Sequence, residues 1–451
     1  MSKRADYMPQ ESAANRIFAG DKVMWVVIII LLIYSIFTIY SNMAYEAASK
    51  ANQELIMHLL FICFGMTGFF VARMLSITFY KKFTVPFYIL SLGLTIAMVA
   101  LGKGDAAARG LDLKIFTFQP FEMLKFATVM FLALQLSTRQ KQMDRLRIIP
   151  SFKPKDWKKN RQKQLDILVG QTLPILGPVA LCCLVTVKFS NSTTLIIALA
   201  SFAMMYLSRI HKSDLLKITI IGIVVAASAL SISEAQGGRN RVGTGIARVS
   251  NWTPDVVTKS VELGKRDSLE YYKRKTHPDG SPKEHDQTLY SKLSIASGGL
   301  VGRGPGQSAN RSLSESDTDM VFAFIIEEYG LLFGGLVIIF AFLVMFYRSM
   351  VIFQKCGTAF PGLLVLGISS CIVLQAFLHM LVSVSLFPLT GQQLPIVSHG
   401  GSSLLVTLTM LGVLMSVSAK AEQEEQERAL KLLAEQERAN KATPSTKRKT
   451  E

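Results

Sequence analysis

Cysteine is scarce in this chain: there are five in 451 residues, and none between residues 234 and 318, its longest polar stretch. Cys63, Cys182, Cys183, Cys356 and Cys371 all lie in or beside apolar segments, so neither a disulfide framework nor a CxxC metal or redox pair is expected. The six histidines do not cluster at ligand spacing, which argues against a protein-built zinc centre. Acidic residues are outnumbered, 32 against 49 lysines and arginines, for a formal net charge of +17. The surplus is gathered in short stretches between apolar runs, a pattern that contact with anionic lipid explains without invoking nucleic acid. A small-residue cleavage site after the first apolar run is also missing, so that run is expected to remain as an anchor.

What the chain has in abundance is apolar sequence. Half of its residues are hydrophobic and the mean hydropathy is +0.34, above the usual range of a soluble domain. The expected fold class is an all-α polytopic membrane protein. Ten stretches are long or apolar enough to cross, approximately 23–40, 54–75, 84–101, 121–137, 171–187, 193–208, 215–233, 320–347, 360–387 and 402–419. With a cytoplasmic N-terminus, alternate loops carry Lys3, Arg4, Arg16 and Lys22, then Arg73, Lys81 and Lys82, then Arg209, Lys212 and Lys217, then Arg348 and Lys355. The basic linker 139–170 falls on the same side, as the positive-inside rule requires. The chain then divides into a cytoplasmic segment 1–21, a membrane domain 22–419 with an extracytoplasmic loop 234–318, and a cytoplasmic tail 420–451, helical to about Asn440.

Four segments concentrate the chemistry. SDTDMVFAFIIEEYG, Ser316 to Gly330, sets Asp319 at the mouth of an apolar run that contains Glu327 and Glu328. An unpaired carboxylate in a bilayer costs roughly 2–3 kcal/mol, so such acids usually face a polar cavity. If the run is one helix, Glu327 lies roughly 12 Å deeper than Asp319. Upstream, SGGLVGRGPGQS allows tight turns near the membrane surface, which either simply turn the chain or present N–H groups to phosphate. FQPFEMLKFA starts the fourth span with Pro120 in a first helical turn, and puts Glu122 and Lys125 three apart on one face. That pair is either a structural ion pair or, with Arg109 outside, a site for an anionic group at the outer leaflet. Finally, FPLTGQQLPIVSHGGSS, Phe387 to Ser403, has no charged side chain other than a titratable histidine. It reads as a broken or re-entrant wall of a site. The 262–286 region is the most polar part of the large loop and is expected to be mobile.

In order and spacing these segments resemble the signatures of the SEDS family (shape, elongation, division and sporulation proteins), over roughly residues 20–420. The opening GDKVMWVVIIILLIYSIFTIYS is more similar to the division branch than to the elongation branch. The resemblance implies a ten-span fold and a peptidoglycan glycosyltransferase that polymerises lipid II at the outer face of the bacterial cytoplasmic membrane. It also implies a class B penicillin-binding protein and other division membrane proteins as partners at the septum. The family's essential acid matches Asp319, with Asp317 in place of the usual histidine. Its Gln-Pro-x-Glu-x-x-Lys motif is intact as Gln119, Pro120, Glu122 and Lys125. The usual acidic segment after the fifth span is replaced by Phe189-Ser190-Asn191-Ser192-Thr193, so that acid's role does not carry over.

The chemistry follows from the reaction. Joining sugars by displacing a lipid diphosphate needs a base for the attacking hydroxyl, for which Asp319 is best placed. It also needs positive charge near the leaving undecaprenyl diphosphate, for which Lys125, Arg109, Arg248 and Arg303 are candidates. Gln119, Glu122, Ser398, His399 and Ser402 complete the expected substrate-binding set. A divalent cation, magnesium or manganese, is compatible with the diphosphate, but the sequence shows no dedicated cage for one. Two other functions fit parts of the pattern: a flippase or transporter for lipid-linked precursors, and a non-catalytic division scaffold.

Overall fold

The computed structural model describes residues 18–42, 48–101, 111–112, 117–139, 147–151, 156, 158, 160–187, 190–235, 284–308 and 319–442. Its helices are α1 (Lys22–Asn42), α2 (Ala48–Met74), α3 (Ile77–Leu101), α4 (Pro120–Arg139), α5 (Arg161–Thr186) and α6 (Asn191–Leu207), followed by α7 (Lys212–Ala235), α8 (Glu284–Gly298), α9 (Val321–Gly330), α10 (Val337–Lys355), α11 (Ala359–Ser383) and α12 (Gly401–Ala442). A two-residue antiparallel pairing of Leu111–Asp112 with Thr117–Phe118 is the only sheet among the described residues. Each of the ten expected segments coincides with a helix, the eighth with α9 and α10 together. Among the described residues seven helical stretches are long and apolar enough to cross a membrane, and α6 is a shorter apolar helix. The proposed mobile region within 262–286 lies largely outside the described residues.

Among the long helices, α4, α11 and α12 are the most buried. α1, α2 and α5 instead expose apolar side chains such as Val26, Phe64 and Leu184, the pattern of helices facing lipid rather than water. The end of the bundle holding the start of α1 is here termed basal, and the opposite end upper. At the basal end Asp21 caps α1, its Oδ1 accepting from Val23 N (3.0 Å) and Met24 N (3.1 Å). Arg348 Nε donates to the other carboxylate oxygen (2.8 Å), and Asp21 N donates to Ser418 Oγ (2.9 Å). One acid thus joins α1, α10 and α12. One expected boundary shifts: α5 begins at Arg161, so the end of the basic linker is helical and leads through a π turn at Leu168–Thr172. α12 runs unbroken from the last span to Ala442, close to the expected end near Asn440.

The eighth segment departs from a single straight helix. A continuous helix over Val321–Lys355, 35 residues, would measure about 52 Å against a hydrocarbon core of about 30 Å. The chain breaks instead at Gly330 (φ 77°, ψ 173°) and passes through a π turn, Leu331–Leu336, into α10. Both ends of α9 are tied to the upper rim. Met320 packs on Val382, near the end of α11, and Glu328 accepts a hydrogen bond from Ser41, the penultimate residue of α1. Descent starts only after Gly330, where Tyr34, two turns below Ser41, donates to the Phe333 carbonyl. α9 therefore runs along the rim, and Glu327 does not sit a full helix length below Asp319.

The glycine-rich run explains how α9 is held there. After α8 the chain turns and docks its backbone on α9: Arg303 N donates to Glu327 O (3.0 Å) and Gly304 N to Glu328 O (2.9 Å), while Leu331 N and Leu332 N donate to the Gly299 and Leu300 carbonyls (2.9 and 3.0 Å). A Cβ on Gly298 would lie 2.0 Å from Ile326 O, and one on Gly302 2.2 Å from Glu328 O. Gly306 N donates to Ser41 Oγ (2.7 Å) and to the Glu328 carboxylate (3.1 Å). Of the two readings of this run, turning the chain fits its glycines: close backbone packing requires Gly298 and Gly302, and Gly299, Gly304 and Gly306 take positive φ in the turns. Gly330→Ala must force its Cβ within 2.3 Å of Val301 C at a positive φ, and is expected to cost at least about 3 kcal/mol. Gly93→Ala, with nothing within 4 Å, should change stability by no more than about 1 kcal/mol. Thermal unfolding of the two purified variants in detergent checks the contrast, and equal melting would contradict it.

Candidate active site

The site begins at the upper end of α4. Pro120 opens the helix, and Gln119 N just before it donates to Ser402 Oγ at the start of α12 (3.2 Å). One turn in, Glu122 and Lys125 face the same way and are each 3% exposed. Lys125 Nζ lies 2.7 Å from Glu122 Oε2 and donates to Gln375 Oε1 of α11 (2.5 Å). Gln375 Nε2 in turn donates to the Gln393 carbonyl (3.0 Å). An ammonium, a carboxylate, a carboxamide and a backbone carbonyl thus form one buried chain from α4 through α11 to the last loop.

That loop, 384–400, is irregular backbone walled in by protein, as membrane-depth loops must be. Gly391 (φ 63°) and Ile396 (φ 71°) take left-handed conformations. Ser398 closes a local ring, accepting from Leu394 N (2.8 Å) while its own N–H donates to Leu394 O (3.0 Å). His379 Nδ1 of α11 donates to the Gln392 carbonyl (2.7 Å). The Gln392 carboxamide nitrogen meets three hydroxyls, Ser190 (3.2 Å), Ser192 (2.9 Å) and Thr193 (3.1 Å). Ser190 also caps α6 by accepting from Thr193 N. The segment that departs from the family's acidic pattern is thus a hydroxyl cradle for a neutral amide.

Asp319, half-buried just before α9, opens on a cleft of about 400 Å3, open solvent at its mouth included. α4 and its approach contribute Gln119, Phe121 and Glu122 to the lining, and α11 contributes Gln375. Gln392, Gln393 and Ser403 line the other side, with Ser190. The structure therefore brings Asp319, Gln119 and Glu122 together. Lys125 is not among the lining residues: it sits behind the wall with its ammonium engaged by Glu122 and Gln375. The structural alternative, an ion pair joining helices, accounts for that placement. Ser402 holds Gln119, and Ser398 is buried in the loop. His399 packs beside His58, ring centroids 5.4 Å apart, rather than in the cleft. Arg303 is exposed on the turn after α8, its Nε donating to Ser297 O (3.3 Å). Arg109, Arg248 and Asp317 lie outside the described residues. No group of three or more potential ligands converges for a metal among the described residues, so no step is assigned to a divalent cation.

The sequence reading missed Gln375, Gln392, Gln393, Ser190 and Ser403. A signal existed for the first three: Gln375 is a lone carboxamide in the apolar run of α11, and Gln392-Gln393 are adjacent amides in a loop without acidic or basic neighbours.

Comparison with known proteins agrees with this architecture. The chain is 25% identical over 400 residues to the probable peptidoglycan glycosyltransferase FtsW of Bacillus subtilis, covering 87% of this chain and 88% of that one. It is 27% identical over 419 residues to the protein of the same name in Trichlorobacter lovleyi, covering 90% and 94%. It shares its fold, with a TM-score of 0.62 and 18% identity, with a chain from a solved structure described as "Structural coordination of polymerization and crosslinking by a peptidoglycan synthase complex", covering 90% of this chain and 99% of that one. The model of the FtsW/RodA/SpoVE family, described as cell cycle proteins, matches residues 21–423, the four signature segments included, and the chain belongs to that family.

Proposed function

We propose that this chain is a peptidoglycan glycosyltransferase that polymerises lipid II during septal wall synthesis. The observation that carries the reading is the carboxylate of Asp319 at an upper-end cleft shared with Glu122 and Gln119. Asp319 takes the proton of the acceptor's 4-hydroxyl. The freed oxygen bonds to the anomeric carbon of the donor chain, and the carbon–oxygen bond to the diphosphate breaks. The electron pair leaves with undecaprenyl diphosphate. Arg303, on the turn beside α9, and Arg109 and Arg248 are the cations assigned to that leaving group. Lys125 acts through Glu122 and Gln375 as a positioning residue.

Sidedness supports the same reading. Arg73, Lys81, Lys82, Arg139, Arg209, Lys212, Arg348 and Lys355 all lie at basal helix ends, so the positive-inside rule puts that end in the cytoplasm and the cleft outside. Both termini are then cytoplasmic, in the bacterial inner membrane. Transpeptidation is assigned to a partner, a class B penicillin-binding protein within the division complex.

Asp319→Asn is nearly isosteric, so the variant should fold and reach the membrane while polymerisation of labelled lipid II by purified protein falls at least about 100-fold. Unchanged polymerisation by a well-folded variant would sink the base assignment, whereas no polymerisation by the unaltered chain would favour a scaffold over an enzyme.

Lys125→Met leaves Glu122 buried without its partner and should destabilise the protein by about 3–5 kcal/mol. Adding Glu122→Gln should recover at least about half of that loss in thermal unfolding, since the pair then goes together. A double variant no more stable than the single one would instead point to a lysine used by substrate.

A further inference from the structure

The wall around Asp319 has a chemistry of its own. Four primary carboxamides, Gln119, Gln375, Gln392 and Gln393, line one small cleft together with the ring of Phe121. Two of them are held rigidly: Gln375 between Lys125 and the Gln393 carbonyl, and Gln392 by its three hydroxyls. With its nitrogen end engaged, Gln392 has its carbonyl oxygen left for the cleft. The side-chain amides of Gln119 and Gln393 carry no hydrogen bond among the described residues. The ionisable side chains in the lining are both acidic, Glu122 and Asp319. Among the described lining residues a diphosphate would meet the Asp319 carboxylate and the Lys125-paired Glu122 and no cation, an unfavourable pairing. Neutral groups that both donate and accept fare well. A carboxamide offers two N–H donors and a carbonyl acceptor, which matches vicinal hydroxyls and the N-acetyl amide of an amino sugar, and an aromatic ring suits the apolar face of a pyranose.

Resting on the reading of Asp319 as the base, we infer that this amide-lined cleft is the acceptor's amino-sugar subsite. It binds an N-acetylated sugar through neutral hydrogen bonds, without help from the diphosphate, which lies elsewhere. The base and the acceptor hydroxyl then share one pocket, and recognition there is independent of phosphate charge.

The test uses the purified full chain in detergent, with two soluble probes: the N-acetylglucosaminyl-N-acetylmuramic disaccharide without any phosphate, and inorganic pyrophosphate. Saturation-transfer NMR or calorimetry should show saturable disaccharide binding that pyrophosphate does not displace. Gln392→Leu and Gln119→Leu should each weaken it roughly fivefold to tenfold, the size of one or two neutral hydrogen bonds. Gln119 makes no side-chain hydrogen bond among the described residues, which keeps its variant informative if Gln392→Leu misfolds. In polymerisation, Gln119→Leu should raise the acceptor's KM by a similar factor with kcat within about twofold. Absence of disaccharide binding, its displacement by pyrophosphate, or equal binding by Gln119→Leu would overturn the inference. Asp319→Asn should retain disaccharide binding. A chain that binds the sugar but does not polymerise lipid II would thus defeat the base reading alone, whereas one that polymerises without using these glutamines would defeat the subsite alone.

Discussion

Two opposite charges with 3% exposure each, Glu122 and Lys125, set the terms for everything around them. Removing such a pair from water costs several kcal/mol per ion, and their attraction offsets that only when the geometry is close and the remaining bonding capacity is used. Here it is used. The lysine's second bond goes to Gln375, and Gln375's nitrogen goes to the loop that follows α11. The pair therefore fixes α4 against α11 and fixes both against the irregular backbone that forms the far wall of the cleft. A small relaxation in any one of them would leave a buried charge or amide unpaired, so the wall is stiff for the same reason that it is costly.

The other wall is held by backbone rather than by charge. α9 lies along the upper rim because a turn with no Cβ at its contact points can press against it, and the Glu328 carboxylate clasps both that turn and the end of α1. Asp319 stands one residue before the Met320 that packs on α11. The two devices meet at the cleft. One supplies a rigid floor of neutral amides, and the other sets a carboxylate over it.

Much of this could be read before any coordinates. The apolar runs placed every described membrane-length helix, because lipid demands unbroken backbone pairing and only helices provide it in this chain. Asp319, Gln119 and Glu122 were legible through their signature segments, and they do share a pocket. Gln375 and Gln392 were not, because a carboxamide in an apolar run carries no charge to draw notice, and its meaning comes from a partner 250 or 200 residues away. The rim position of α9 was hidden for a related reason. Residues 320–347 are apolar throughout apart from two acids, and composition does not record that Gly330 leaves the helix with φ 77°. Lys125 was ambiguous in sequence, since i,i+3 spacing serves a structural pair and a substrate clamp equally well, and only its burial separates them.

All of the proposed chemistry requires the cleft to open on the side where the lipid-linked sugars are joined. Two cysteines, introduced singly at exposed positions in a protein whose five native cysteines have been replaced, report on this directly: Gln307→Cys at the upper end and Lys82→Cys at the basal end. On intact spheroplasts an impermeant maleimide should label Gln307→Cys and leave Lys82→Cys unreacted until the membrane is permeabilised. Labelling of Lys82→Cys but not of Gln307→Cys would invert the molecule and remove Asp319 from the face at which glycan strands are made.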